Sequence, residues 1–93
     1  MPKYVSLFNY TGKIEGGGPE RFAQAQQIVA AEGCEIVSVY GLLGAYDIVT
    51  VIECPDSRAA MKVAAKVGNL VGARTQTMQA VDRDDFLQLL TEL

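Results

Sequence analysis

The sequence predicts one α+β domain in which two helices cover one face of a four-stranded antiparallel sheet. Strand-like and helix-like segments alternate in the order strand, helix, strand, strand, helix, strand, and a short glycine-containing connection joins the two middle strands. The chain has 93 residues, 49% of them hydrophobic and 20% charged, which suits a single domain over residues 1–93. A domain of this size buries only about two thirds of the surface that its unfolded chain exposes, so contacts with partners matter for its stability.

The first half of the chain contains one predicted strand and one predicted helix. Residues 4–10 are rich in aromatic and β-branched side chains, which favour a strand. Residues 11–18 carry four glycines and are expected to form an irregular connection. The helix is predicted to begin at Pro19, because proline is tolerated at the first helical position, and to end at Gly33. Its apolar face comprises Phe22, Ala25, Ile28 and Val29.

A β-hairpin is predicted in the middle of the chain. Residues 35–40 and 47–53 are strand-like, and residues 41–46 form the short connection between them. With Gly41 placed opposite Asp47, Cys34 lies opposite Cys54, close enough to cross-link under oxidising conditions. In this register both faces of the hairpin are apolar: Ile36, Tyr40, Ile48 and Ile52 lie on one face, and Val37, Val39, Val49 and Val51 on the other.

The second half repeats the strand-and-helix pattern. Asp56 or Ser57 is the expected N-cap of a second helix, whose apolar positions are Ala60, Val63, Ala64, Val67 and Val71. Gly68 and Gly72 are expected to bracket a frayed helix end, and residues 75–81 form the fourth strand. Asp82 and Asp85 resemble a capping box for a C-terminal helix with the apolar stripe Phe86, Leu89, Leu90 and Leu93. This order is typical of the ferredoxin-like βαββαβ sandwich, here with an added C-terminal helix.

One apolar face of this sheet has no predicted cover within the domain. Each of its four valines loses about 1.5–3 kcal/mol of burial free energy if it remains in water. We therefore expect a homodimer through the sheet face, with two sheets packed around a twofold axis and the C-terminal helix at the seam. The alternative is that the C-terminal helix folds back over its own sheet.

Composition excludes several classes of function. The net charge is −3 without a basic stripe, which disfavours a nucleic-acid partner. The chain has no histidine, which excludes histidine-based catalysis, histidine-ligated zinc and proximal-histidine haem; no metal or cofactor is predicted. No signal-peptide pattern or membrane-length apolar run is found. The expected location is the cytoplasm, where Cys34 and Cys54 should stay reduced as small packing residues.

The hairpin contains a recognisable motif. Gly44-Ala45-Tyr46-Asp47, followed by Glu53-Cys54-Pro55-Asp56, resembles the signature of the GYD domain family, and Asn9-Tyr10-Thr11 and Arg74-Thr75-Gln76-Thr77-Met78 extend the resemblance over nearly the whole chain. The resemblance implies a ferredoxin-like protomer of the dimeric α/β-barrel type, in a family of unknown function. A similar Gly-x-Tyr-Asp hairpin occurs in the effector-binding domains of leucine-responsive regulators.

Four residues are candidates for ligand binding. Tyr46 and Asp47 either close the hairpin turn or lie at the rim of a barrel cavity that recognises a small polar ligand. Arg74 is the cation within a strand, and it pairs either with a ligand carboxylate or with a nearby acidic side chain. Glu53 and Asp47 are the strand-borne acids best placed for partial burial. No catalytic residue is assigned.

Two functions from different classes follow. The first is a non-catalytic binding or assembly module that holds a small metabolite between two protomers. The alternative is a cofactor-independent oxygenase or isomerase of the dimeric α/β-barrel type. The absence of histidine and tryptophan counts against the enzyme, because a tyrosine or carboxylate would have to act as the base.

Overall fold

The computed structural model describes residues 1–13 and 17–93, and it has the predicted order of elements. These elements are β1 Lys3–Tyr10, α1 Gly18–Ala31, β2 Glu35–Gly41, β3 Ile48–Glu53, α2 Ser57–Val71, β4 Ala73–Ala80 and α3 Arg83–Leu90. Part of the predicted first connection, residues 14–16, lies outside the described residues.

The sheet is antiparallel throughout, with the strand order β2-β3-β1-β4. Both long helices pack on one face, which we call the helix face, because Tyr4 and Ile52 of the sheet share a buried cluster with Val29 of α1 and Val63 of α2. This is the predicted ferredoxin-like α+β sandwich. The opposite surface, which we call the open face, faces away from α1 and α2.

The register of the hairpin is only partly as predicted. Glu35 pairs with Glu53 and Ile36 with Ile52, but the register then shifts by one residue at a β-bulge around Val37. Val39 consequently pairs with Thr50 and Tyr40 with Val49, so Val39 lies on the helix face and Tyr40 on the open face. The predicted sides of these two residues are wrong, because one extra residue reverses the alternation of all later side chains.

Cys34 and Cys54 form a disulfide between the start of β2 and the residue after β3, with their Cα atoms 4.3 Å apart. Their predicted position opposite each other is therefore confirmed. The expectation that both remain thiols is wrong in this structure. Both residues are buried in the main core cluster, so the disulfide also serves as packing.

Asp56 and Asp82 precede α2 and α3, and the sequence predicts that both cap these helices. Asp56 caps α2 as predicted, since its carboxylate accepts the Ala59 N–H at 2.8 Å. The predicted capping box of α3 is wrong, because the Asp82 side chain caps no backbone N–H. Its Oδ1 instead accepts a hydrogen bond from Lys3 Nζ at 2.7 Å, which ties the start of α3 to the start of β1.

Gly68 marks a close approach of α2 and β4 and not a frayed helix end. The helix continues to Val71 and ends at Gly72, which has a positive φ of 70°. A Cβ atom at position 68 would lie 3.0 Å from the Ala73 carbonyl oxygen and 3.2 Å from Thr75 Cγ2. Glycine therefore allows the helix to approach the strand backbone.

The C-terminal helix α3 does not fold back over its own sheet. None of its residues is buried, and the stripe residues Phe86, Leu89, Leu90 and Leu93 are all exposed. The radius of gyration is 14.1 Å, whereas a compact chain of this length has about 12 Å. The alternative in which this helix covers the sheet of its own chain is therefore wrong. Within residues 1–13 and 17–93, no helix has the length and apolar character needed to cross a membrane.

Candidate functional site

The open face carries an apolar centre with polar groups at one end. Alternation along the strands places Val5 and Leu7 of β1 beside Val49 and Val51 of β3, and all four are half-buried. Met78 of β4, opposite Val5, is 45% exposed. The centre of this face is therefore a row of large apolar side chains that the protomer only partly shields from water.

Asp47 organises the end of the sheet where β1 finishes. Its carboxylate Oδ2 accepts the Tyr10 N–H at 2.8 Å, and its own N–H donates to the Phe8 carbonyl at 2.9 Å. Its carbonyl oxygen accepts the Leu42 N–H at 2.8 Å, which closes the hairpin. Asp47 therefore joins β1, the turn and β3, which supports the structural interpretation of this residue.

Tyr46 extends across the sheet and not over its own hairpin. Its hydroxyl donates to Gln76 Oε1 of β4 at 3.3 Å, although the central strand β1 lies between β3 and β4. Gln76 pairs with Leu7 and alternates with Arg74 and Met78 along β4, which places Tyr46 on the open face. The Tyr46 side chain therefore lies at the polar end of the apolar row.

Arg74 lies on the open face, opposite Asn9 of β1 and two residues before Gln76, which binds Tyr46. Its side chain is exposed, and no acidic side chain of the described residues forms an ion pair with it. The internal acidic partner that the sequence suggested for Arg74 is therefore not found in residues 1–13 and 17–93. A guanidinium, a phenol and the Gln76 amide lie together at this end of the sheet.

Glu53 lies at the opposite end of β3 and does not join this group. It lies six positions after Asp47 in the sequence, which corresponds to about 20 Å along a strand. It lies opposite both Glu35 and Lys3. The pKa of Lys3 is raised, mainly by its hydrogen bond to Asp82 and less by the charge of Glu53. In the described part of the chain, no group of three or more metal-ligating side chains is close enough to hold a metal ion.

The structure therefore places Tyr46, Asp47 and Arg74 at the same end of the sheet and leaves Glu53 at the other. Sequence reasoning missed Gln76 as the partner of Tyr46, and it placed Tyr40 on the wrong face. The alternation of Arg74, Gln76 and Met78 in β4 could have indicated that these side chains share one surface.

These features define the class of the protein: a ferredoxin-like α+β module with one apolar sheet face left open. The sequence model of the GYD domain matches residues 4–90. The chain belongs to the GYD domain family, which confirms the resemblance that its Gly-x-Tyr-Asp motif indicated. No curated protein matches the chain in sequence.

Solved structures with a similar fold include the following three. The leucine response regulatory protein of Mycobacterium tuberculosis has a TM-score of 0.62 at 12% identity, with 87% of this chain and 51% of that chain covered. A feast or famine regulatory protein of M. tuberculosis, complexed with L-methionine, has a TM-score of 0.60 at 13% identity and covers 88% of this chain and 51% of its own. A protein from Thermus thermophilus has a TM-score of 0.57 at 21% identity, with 88% of this chain and 95% of that chain covered. This chain spans about half the length of the two regulators, and similarity at these identities shows the fold alone.

Proposed function

We propose that this GYD-domain protein is a homodimeric, non-catalytic binding module whose protomers pack through their open faces. The observation that carries the proposal is the apolar row of the open face, Val5, Leu7, Val49, Val51 and Met78. Helices α1 and α2 cover the other side of the sheet, so this row stays partly in water in the isolated protomer. A second copy supplies an apolar surface of the same shape around a twofold axis.

The C-terminal helix supports the same assembly. Its stripe of Phe86, Leu89, Leu90 and Leu93 is exposed in the protomer, and a helix with an uncovered apolar stripe requires a partner surface. The salt bridge between Lys3 and Asp82 fixes the start of α3 beside the edge of the open face. In the proposed dimer, α3 of one protomer packs on the other protomer at the edge of the interface.

We place the ligand of this module at the polar end of the open face, between the two protomers. Arg74 has no acidic partner within the described residues, and it lies on the same face of β4 as Gln76, whose amide binds the Tyr46 hydroxyl. A guanidinium binds carboxylates strongly, so the site fits a small molecule with a carboxylate group. The similar regulatory protein whose structure holds L-methionine supports a carboxylate ligand for this type of module.

The dimer is tested with two methionine substitutions. Met78→Asp introduces a charge into the open face, whereas Met61→Asp changes a methionine of α2 that is 72% exposed on the other side of the domain. Sedimentation equilibrium should give a dimer for the wild type and for Met61→Asp, and a monomer for Met78→Asp. A wild-type monomer of 10.0 kDa at micromolar concentration would overturn the proposed assembly.

The ligand site is tested by thermal-shift measurements with a panel of amino acids and small carboxylic acids that includes L-methionine. A stabilising compound should lose its effect in Arg74→Gln. The same compound should still stabilise Arg58→Gln, which removes a positive charge from an exposed side chain of α2. Asp47→Asn is less suitable for this test because the Asp47 carboxylate holds the end of β1. No stabilisation of the wild type by any member of the panel would contradict the proposed carboxylate site.

No observation favours the oxygenase or isomerase alternative over binding. Catalysis without a cofactor needs a general base at the site, and the polar end of the open face offers Asp47 for this role. The Asp47 carboxylate is already bound to the Tyr10 N–H. The cytoplasmic location remains a prediction from the sequence.

A further inference from the structure

A cavity lies inside each protomer, between the helix face of the sheet and helices α1 and α2. Its volume is about 180 Å³. Phe8, Ile48 and Thr50 line it from the sheet, Ala25 and Val29 from α1, and Val63 and Ala64 from α2. Gly18, Phe22 and Val39 also line it and are exposed, which places the opening of the cavity beside the first turns of α1.

The cavity results from small side chains at the contact between the two helices. Ala25 of α1 and Ala64 of α2 are both buried against it, and neither is large enough to fill the space above Phe8. Only Ala25 and Val29 of α1 are buried, and Phe22, one turn before Ala25, remains 44% exposed. The core of the domain is therefore well filled near the disulfide and empty beneath the first half of α1.

The walls of the cavity are largely apolar, and their polar groups are the guanidinium of Arg21 near the opening and a few hydroxyl groups. Ser6 lines the cavity, and its hydroxyl is hydrogen-bonded to Thr77 Oγ1 at 2.8 Å. The Thr50 and Tyr10 hydroxyls also belong to lining residues, and neither takes part in a hydrogen bond within the described residues. A ligand with one polar group can therefore gain a hydrogen bond there that the protein does not make internally.

We propose that this cavity binds small monocyclic phenols, with the ring between α1 and the sheet and the hydroxyl near Thr50. A dry engineered cavity of about 150 Å³ accepts benzene, so the 180 Å³ here holds one ring with a small substituent. This site lies within one protomer and does not use the open face. It is therefore a second site, independent of the carboxylate site between protomers.

The proposal is tested by titrating the full-length protein with phenol and observing methyl resonances by NMR. Saturable shifts are expected for the Ile48 and Ile52 methyls, which face the cavity, and not for Val49 and Val51 on the open face. Ala25→Leu fills the cavity and should weaken phenol binding at least tenfold. Ala23→Leu, on the exposed side of the same helix, should leave it unchanged.

Two further variants keep the test decisive if Ala25→Leu does not fold. Thr50→Val removes a hydroxyl at nearly constant volume, and it should weaken phenol binding several-fold while leaving benzene binding unchanged. Met78→Asp should retain phenol binding as a monomer, which separates this site from the proposed dimer. Absence of saturable shifts at Ile48 and Ile52, or shifts confined to Val49 and Val51, would overturn the proposal. Equal binding by a folded Ala25→Leu would also overturn it.

Discussion

The most informative substitution concerns Asp47, the aspartate of the Gly-x-Tyr-Asp motif. In Asp47→Ala the Tyr10 N–H loses the carboxylate that accepts it at 2.8 Å. The backbone hydrogen bonds of residue 47 to Phe8 and Leu42 involve no side-chain atom and can persist. The substitution therefore isolates the contribution of one charged side-chain acceptor to the stability of the fold.

The expected loss follows from the type of hydrogen bond. A hydrogen bond to a charged group contributes about 1.5–3 kcal/mol to stability, and the partly buried position of Asp47 favours the lower part of this range. We expect Asp47→Ala to lower the free energy of unfolding by about 2 kcal/mol. Asp47→Asn keeps a neutral acceptor, and it should lose about half as much because charge-assisted hydrogen bonds are roughly twice as strong as neutral ones.

Urea denaturation at fixed protein concentration measures both losses. With a slope of about 1.5 kcal/mol/M, the midpoint should fall by roughly 1.3 M for Asp47→Ala and by half of that for Asp47→Asn. Glu92→Gln, in the exposed C-terminal tail, removes the same unit of charge and should leave the midpoint unchanged. If Asp47→Ala is as stable as the wild type, the hydrogen bond from the Tyr10 N–H to the motif aspartate does not stabilise the fold, and this reasoning is refuted.

Three further predictions concern other contacts. Gly68→Ala should destabilise the fold by about 1 kcal/mol in urea, because the new Cβ crowds the Ala73 carbonyl, whereas Gly12→Ala, with open space around it, should not. Reduction of the Cys34–Cys54 disulfide should lower stability by about 3 kcal/mol, from loop entropy over its separation of 20 residues, and a Cys34→Ala/Cys54→Ala variant should not respond to reductant. A hydrogen bond from Lys66, aided by the charge of Lys62, lowers the pKa of Glu32 below its ordinary value of 4.5. The contact between ionised Glu32 and Lys66 therefore stabilises the fold above pH 4.5, and this contribution is lost as the pH falls through the lower folded-state pKa. In an NMR titration, Lys66→Gln should raise that pKa back towards 4.5, and an unchanged pKa would contradict this assignment.

The order of elements was predictable because each element has a local signal. Asp56 before α2 and Gly72 after it mark both ends of that helix, and the hairpin strands are rich in β-branched residues. The first hairpin pairs were also predictable, including Cys34 opposite Cys54. The bulge at Val37 was not, because residues on both faces of β2 are apolar and a shift by one residue exchanges one apolar set for another.

The contacts of the candidate site were less predictable because they join distant parts of the chain. The spacing of Asp82 and Asp85 is typical of a capping box. The Asp82 carboxylate instead accepts a hydrogen bond from Lys3, which lies 79 residues earlier in the chain. Tyr46 reaches Gln76 across β1, and no local pattern in either segment indicates this pairing. Turn chemistry correctly favoured a structural role for Asp47, but the N–H that its carboxylate accepts belongs to β1 and not to the turn.

The bulge connects the two proposed binding surfaces. In the register without a bulge, Tyr40 would lie on the helix face and its ring would compete for the space beneath α1. The extra residue at Val37 instead turns Tyr40 towards the open face and directs Val39 to the opening of the cavity. A single additional residue in β2 thus adds an aromatic side chain to the proposed dimer interface and leaves the cavity free for a ligand. The space beneath α1 stays open because β2 directs Val39, and not the larger Tyr40, towards it.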